Sequence, residues 1–209
     1  MYDYLSSAVV TLLVTLDPPA LAPMFISVTR GMTPAERRQV AYRASLIAFL
    51  IMAFFAVAGQ ETLRLLGIGL PAFRIAGGLL LFTIAFEMVF DRRNARKSEM
   101  AETAITKDQI RNIAAFPLAI PLMAGPGAIT AMLLLAGRAH DDPLLISLLL
   151  LVTALLIAVC LAVLLLADRV ARVLGTTGNA VLTRLLGVIL AALAVQFLID
   201  GAKAAFGLA

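Results

Sequence analysis

The chain has 209 residues, of which 62% are hydrophobic and 14% charged, with a formal charge of +4 and a mean hydropathy of +1.00. A soluble domain of this length has about half apolar and roughly a quarter charged residues, so the composition excludes an ordinary soluble fold and predicts a protein embedded in a lipid bilayer. One cysteine, one histidine and no basic face interleaved with aromatics argue against a redox pair, a metal or other cofactor, and a nucleic-acid partner.

The apolar residues group into six long windows. A membrane-spanning helix needs about 20 mostly apolar residues, and each window is near that length, although the second is the shortest. The sequence therefore predicts an all-α, polytopic membrane protein with six transmembrane helices. No positively charged signal region precedes the first window, so we expect that window to remain in the mature protein. The windows are residues 5–28, 43–59, 70–90, 112–137, 144–167 and 180–199.

Arginine and lysine are concentrated on one side of these windows. Because basic loops stay in the cytoplasm, the first, third and fifth loops are predicted to be cytoplasmic and both termini periplasmic. The third loop, residues 91–111, is the longest and divides the chain into two parts. The basic stretches are residues 29–42, 91–111 and 168–179, whereas the other side receives only Arg64, Arg138 and Lys203.

Three short segments recur in the same order at a nearly constant displacement of about 110 residues, although chance similarity among apolar helices is the alternative. Three spans per half would force the halves into opposite orientations, and inverted repeats are typical of secondary transporters with a site near the midplane. We expect residues 1–90 to be the first three-helix repeat, 91–111 a cytoplasmic connecting loop and 112–209 the second, inverted repeat. The matching segments are 18–21 with 126–129, 64–67 with 172–175, and 74–77 with 184–187.

Proline and glycine interrupt the first and fourth predicted spans about halfway along each. A proline inside a helix costs about 3 kcal/mol or more, and lipid offers the freed backbone groups no partner, so such breaks require protein or a wet cavity around them. We therefore expect broken first and fourth helices that meet at a polar pocket. The two breaks are Asp17-Pro18-Pro19 and Gly125-Pro126-Gly127.

The two breaks differ in charge, and this difference predicts a substrate class. The helix that begins at Gly125 has no acidic cap, so its free N–H groups suit a carboxylate, while Asp17 would hold an ammonium group or a coupling proton. Thr130, one turn further on, is predicted to line the same cavity. A zwitterionic amino acid would satisfy both ends. The alternative is that Asp17 only caps its own half-helix, because aspartate before proline is also the pattern of a helix N-terminus.

Four further polar residues inside the spans are candidates, with Asp17, for gating or ion coupling. The two arginines could be gate residues or partners of Asp17, although snorkelling to the interface explains each one alone. The glutamate could relay protons or form an ion pair with Arg92 and Arg93, and the glutamine could join helices. These candidates are Arg74, Glu87, Arg184 and Gln196.

Several of these segments carry a family resemblance. Residues 17–25 (DPPALAPMF), 30–34 (RGMTP), 70–78 (LPAFRIAGG) and 116–129 (FPLAIPLMAGPGAI) resemble the MarC family, which is also described as a neutral amino-acid transporter family. The resemblance implies a multi-pass protein of the bacterial inner membrane, related to the LysE exporter superfamily. It also implies small neutral amino acids or related metabolites as substrates and proton-coupled export.

Secondary transport of a small solute is the leading functional hypothesis. A passive channel and a membrane scaffold or assembly protein without transport activity remain as alternatives, and a homo-oligomer stays open. An enzyme is not expected, because Asp17 is the one aspartate at depth and no Ser–His pair lies within the spans.

Overall fold

The computed structural model describes residues 2–90, 114–139 and 142–208. Every regular element in these ranges is helical, as the sequence predicts. The elements are α1 (Tyr2–Leu16), α2 (Pro18–Val28), α3 (Pro34–Leu65), α4 (Leu70–Val89), a π-helical segment (Ala114–Met123), α5 (Pro126–Arg138), α6 (Pro143–Leu165) and α7 (Ala167–Ala205).

Within the described ranges, five helical segments are long and apolar enough to cross a membrane. The prediction of a polytopic all-α membrane protein is confirmed in this form. The fourth predicted window contains the π-helical segment and the short helix α5 instead of one long helix, so the count of six spans stays a prediction. The five segments are Tyr2–Val28, Pro34–Leu65, Leu70–Val89, Pro143–Leu165 and Thr177–Ala205.

Helix α3 corrects the predicted second span. It has 32 residues, about 48 Å at the α-helical rise, so the prediction that this span is the shortest is wrong. The helix starts early because Thr33 and Glu36 form a capping box: the Thr33 hydroxyl accepts from the Glu36 N–H at 3.3 Å, and the Glu36 carboxylate accepts from the Thr33 N–H at 2.8 Å. A helix that continues beyond the lipid needs no apolar residues there.

Helix α7 corrects the predicted loop at residues 168–179. It begins at Ala167 and is interrupted at Gly175, whose φ of 60° and ψ of −177° suit glycine alone. A short helix therefore precedes the apolar segment Thr177–Ala205. Asp168 on that short helix pairs with Arg37 of α3 at 3.0 Å and joins the two elements.

The bundle has two ends that we name by what they contain. At the terminal face, the Tyr4 hydroxyl near the start of α1 donates to the Leu135 carbonyl near the end of α5, at 3.1 Å. Arg138 at the end of α5 pairs with Asp200 near the end of α7. The opposite end, the loop face, holds the start of α3 and the pair that Arg37 forms with Asp168.

Helices α4 and α7 pack backbone against backbone at two glycines. A β-carbon added to Gly78 would lie 2.9 Å from the Ala194 carbonyl oxygen, and one added to Gly187 would lie 3.1 Å from the Ala85 carbonyl oxygen. Gly78 and Gly187 are therefore close-packing positions between α4 and α7. The contacts are also reciprocal. Gly187 lies 109 positions after Gly78, and Ala194 lies 109 positions after Ala85, so the same pair of positions meets twice with the helices exchanged.

We predict that Gly78→Ala and Gly187→Ala each lower the free energy of unfolding by about 1–2 kcal/mol. The clash with backbone should cost about 1–3 kcal/mol, and alanine recovers up to about 1 kcal/mol through its helix propensity. Denaturant unfolding of the purified protein in micelles measures the change. Gly178→Ala is the matched control, since its added carbon would meet nothing closer than 3.8 Å, and it should be neutral or stabilising. Unchanged stability in the first two variants would contradict close backbone contact between α4 and α7.

Candidate functional site

The first helix break is centred on Asp17. Helix α1 ends at Leu16 and α2 begins at Pro18, and Asp17 adopts a left-handed conformation with φ 54° and ψ 61°. Its N–H donates to the Leu13 carbonyl at 3.0 Å, which closes α1, while the two following prolines have no N–H to continue the helix. Aspartate adopts this left-handed region more readily than most residues.

The side chain of Asp17 does not cap helix α2. No side-chain cap hydrogen bond is present at this position, so the alternative in which Asp17 serves only as a helix cap is wrong. The reason is the backbone, because a capping residue normally has β-region dihedrals that aim its side chain at the next N–H groups. Asp17 is also 0% exposed. A fully buried acid within a membrane-spanning segment is costly and is a functional-site candidate by default.

The second break lies between the π-helical segment and α5. The Ala124 N–H donates to the Ala119 carbonyl at 2.8 Å, five residues back, as expected of π-helical geometry. Pro117 and Pro121 in this segment have no N–H for a regular α-helical ladder. Gly125 is extended, with φ −82° and ψ 173°, and no side chain caps the helix that follows. The predicted interruption of this stretch is confirmed.

Both breaks lie at similar depth below the terminal face. The hydrogen bond from Tyr4 to Leu135 puts these two residues at one level, and α1 packs against α5. Asp17 is then about 20 Å below that level along α1, and Gly125 about 15 Å below it along α5. The difference is about one helical turn, so the two breaks lie in the same layer of the bundle.

The residues that follow the second break pack against α4. A β-carbon added to Gly127 would lie 2.5 Å from Ile84 Cδ1, and one added to Gly77 would lie 2.8 Å from Thr130 Cγ2. Thr130 therefore presents its methyl group to α4 and is buried, so its predicted cavity-lining role gains no support from these contacts. Pro126, by contrast, is exposed, and Gly125 is half-buried.

A small cavity of about 160 Å³ lies beside the first break, between α2 and the first part of α7. Pro19 and Pro23 line one wall and Asn179 lines the other, with the Asn179 Oδ1 atom buried and without a hydrogen-bond partner among the described residues. Because Pro19 and Pro23 follow Asp17 along α2, the cavity is on the loop-face side of the break. Pro19 is the one predicted site residue that lines it.

A larger cleft of about 1070 Å³ opens at the terminal face, between the end of α3 and the start of α6. Its wall is mostly apolar and includes Leu63 and Leu150. At its edge, an Arg64 guanidinium nitrogen lies 2.5 Å from a Glu61 carboxylate oxygen in an exposed ion pair. None of the predicted site residues lines this cleft.

Two of the predicted gating residues belong to a polar cluster at the terminal face. Arg138 pairs with Asp200, and its guanidinium carbon lies 4.5 Å from the centre of the buried Phe197 ring. Gln196 donates to Asp200 at 2.7 Å along its own helix, and Asp200 in turn pairs with Arg138 of α5. A β-carbon added to Gly201, the residue after Asp200, would lie 3.0 Å from Arg74 Cβ, and among the described residues Arg138 and Asp200 act electrostatically on Arg74, which places Arg74 in this cluster.

The other two gating candidates differ in exposure. Arg184 is exposed on α7, as snorkelling to the interface requires. Glu87 is half-buried near the end of α4, and its predicted partners Arg92 and Arg93 lie outside the described residues.

The sequence reasoning missed three residues that the structure brings into view. Arg138 was considered only as a loop charge, and Asp200 and Asn179 were not singled out. One signal was present: Asp200 follows Gln196 by four residues, which puts both side chains on one helix face. The pairing with Arg138 joins residues 62 positions apart and depends on how the helices pack.

The chain is similar to known proteins along almost its full length. The sequence profile described as "MarC family integral membrane protein" matches residues 2–206. A "UPF0056 membrane protein" of Aquifex aeolicus is 38% identical over 204 residues, covering 94% of this chain and 91% of the relative. "UPF0056 membrane protein YhcE" of Escherichia coli is 36% identical, with 91% and 88% covered. No solved structure matches. This chain belongs to the MarC family of integral membrane proteins.

Proposed function

We propose that this protein is a secondary transporter of small neutral amino acids or related metabolites, with its substrate site at the two helix breaks. The observation that carries the proposal is Asp17, which is fully buried at a break within a membrane-spanning segment and does not cap the helix after it. Burying an acid at this depth is unfavourable unless its charge is used.

The proposed architecture is two inverted halves, residues 1–90 and 112–209, with six spans in total. The reciprocal glycine contacts support it: Gly78 meets Ala194, and Gly187 meets Ala85, with one displacement relating both pairs. A two-fold axis produces this pattern, in which each contact is repeated with the partners exchanged. An axis in the membrane plane would place the substrate site where the two halves meet.

The chemistry of the two breaks suits an amino acid. Helix α5 begins at Pro126 without a side-chain cap, so its first N–H groups and the positive end of its dipole are available to a carboxylate. Asp17 offers the opposite charge at a depth that differs by about one helical turn. A ligand with an ammonium group and a carboxylate on neighbouring atoms would be complementary to both ends.

The two faces of the bundle suggest a route to this site. The cavity beside Pro19 provides space on the loop-face side of Asp17, while the terminal face is joined by Arg138 and Asp200. We propose that access alternates between these faces. We propose export through the inner membrane, with the loop face in the cytoplasm, where its excess of arginine and lysine would hold it.

We predict that Asp17→Asn reduces transport of labelled alanine into or out of liposomes at least tenfold while the yield of folded protein is retained. A charge-assisted hydrogen bond is worth about 1.5–3 kcal/mol, and each 1.4 kcal/mol is tenfold. Asparagine also tolerates the left-handed backbone. Flux is measured at several substrate concentrations, with and without a pH gradient.

Asp3→Asn is the matched control, because it removes an exposed carboxylate at the terminal face and should leave flux unchanged. Normal flux in a well-folded Asp17→Asn protein would reject the assigned site. Non-saturating flux in the unmodified protein would indicate a channel instead, and no flux of any tested solute would favour a scaffold.

We predict that both termini are outside the cell. The native Cys160 is buried and is the chain's one cysteine, so an added cysteine reports its own location. In intact cells, a membrane-impermeant maleimide should label Leu208→Cys, whereas Val173→Cys should be labelled only after permeabilisation; both side chains are exposed. The unmodified chain serves as the unlabelled control. The opposite labelling pattern would reverse the proposed topology.

A further inference from the structure

We propose that the cluster of Arg74, Arg138, Gln196 and Asp200 at the terminal face binds the carboxylate group of a small soluble ligand. This site is at the end of the bundle, separate from the helix breaks. The proposal does not rest on transport, since it concerns equilibrium binding.

The hydrogen-bonding capacity of the cluster is unbalanced. Both Asp200 oxygens are used, because Gln196 donates to Oδ1 at 2.7 Å and Arg138 donates to Oδ2. Each arginine has five N–H donors and no acceptor. The Nε atom of Arg74 is buried without a hydrogen-bond partner in the described part of the chain. The two arginines and the Gln196 amide therefore offer more N–H donors than the Asp200 carboxylate and the Gln196 carbonyl oxygen can accept.

The charge of the cluster is unbalanced in the same direction. Arg74 and Arg138 carry two positive charges, and Asp200 supplies one negative charge. The described residues that act electrostatically on Arg74 are these two, Arg138 and Asp200. Partly buried charges are normally paired, so one more anionic group would complete the set. A planar carboxylate is the group that fits guanidinium donors in pairs.

The cluster is held in place yet open to solution. The guanidinium group of Arg138 lies over the buried Phe197 ring. The start of the Arg74 side chain is held against α7, since a β-carbon added to Gly201 would lie 3.0 Å from Arg74 Cβ. The side chains of Arg138 and Asp200 keep 25% and 29% of their surface exposed. Burial is thus deep enough to strengthen the interaction with an anion, and exposure is sufficient for exchange with the solvent.

The anionic headgroup of a lipid could offer similar oxygen acceptors at this position. We assign the site to a soluble carboxylate because the partly exposed pair is at the terminal face, beyond the apolar stretch of α5 and at the end of α7. The two sources are distinguished by comparing the protein in lipid-free detergent with the protein in nanodiscs of stated composition.

The test uses thermal unfolding of the full chain in neutral detergent, followed by a maleimide dye that reacts with Cys160 when unfolding exposes it. Sodium propionate should raise the melting temperature in a saturable manner, because a ligand that binds the folded state stabilises it. Propylamine hydrochloride at the same ionic strength should not. Equal effects of the two salts would overturn the proposal.

Variants assign the effect to the cluster. Arg74→Gln should weaken the apparent affinity for propionate at least tenfold, and Arg74→Lys should recover part of it by restoring the charge without the planar donors. Asp200→Asn should tighten propionate binding, because it removes the competing internal carboxylate. Arg64→Gln is the matched control, an exposed arginine at the same face, and should bind propionate as the unmodified chain does.

Two results would reject this assignment even if Arg74→Gln were poorly folded. One is unchanged or weaker propionate binding in a folded Asp200→Asn protein, which indicates a purely structural ion pair. The other is loss of propionate binding in nanodiscs that contain phosphatidylglycerol but not in nanodiscs of phosphatidylcholine, which indicates a lipid headgroup site. If the Asp17→Asn protein retains propionate binding, this site is distinct from the helix breaks. If the variant loses propionate binding, the two sites are not distinct.

Discussion

Hydrocarbon offers no hydrogen-bond partner to a peptide group, and this constraint governs where the chain is allowed to break. An unsatisfied backbone group in lipid costs several kcal/mol, so an interrupted helix must be enclosed by other helices. The protein meets this demand at the first break, where Asp17 is fully buried. At the second break the enclosure is partial: Gly127 packs closely on α4, while Gly125 is half-buried and Pro126 exposed. The close helix packing elsewhere follows from the same demand.

The hydrocarbon also determines how the charged residues are placed. At each face, an arginine pairs with an aspartate from a distant element and lies near a phenylalanine ring, so apolar surface covers the stem of the arginine while its charge is satisfied. The more exposed pair, at the loop face, should contribute about 0–1 kcal/mol to the free energy of unfolding. It therefore offers little resistance to opening of that face. The two sets are Arg37, Asp168 and Phe25 at the loop face, and Arg138, Asp200 and Phe197 at the terminal face.

The sequence predicts the parts of this fold that lipid or local backbone chemistry dictates. Windows 70–90 and 144–167 match α4 and α6 within two residues at each end, because long apolar runs reflect the hydrocarbon thickness. The breaks were predictable because proline and glycine act locally. Hydropathy missed the start of α3 at Pro34, since it carries no signal once a helix leaves the lipid, but the capping-box pattern of Thr33 and Glu36 marks that start in the sequence. The left-handed backbone of Asp17 and the pairing of Arg138 with Asp200 depend on tertiary packing.

The seam between α4 and α7 has a mechanical consequence. Where α4 and α7 touch at Gly78 and Gly187, the glycines have no side chain whose rotamer could change and let the helices slide. These two helices, one from each side of residues 91–111, therefore behave as one stiff pair. In any rearrangement that opens a face, spacings within this pair stay constant while spacings to its neighbours change.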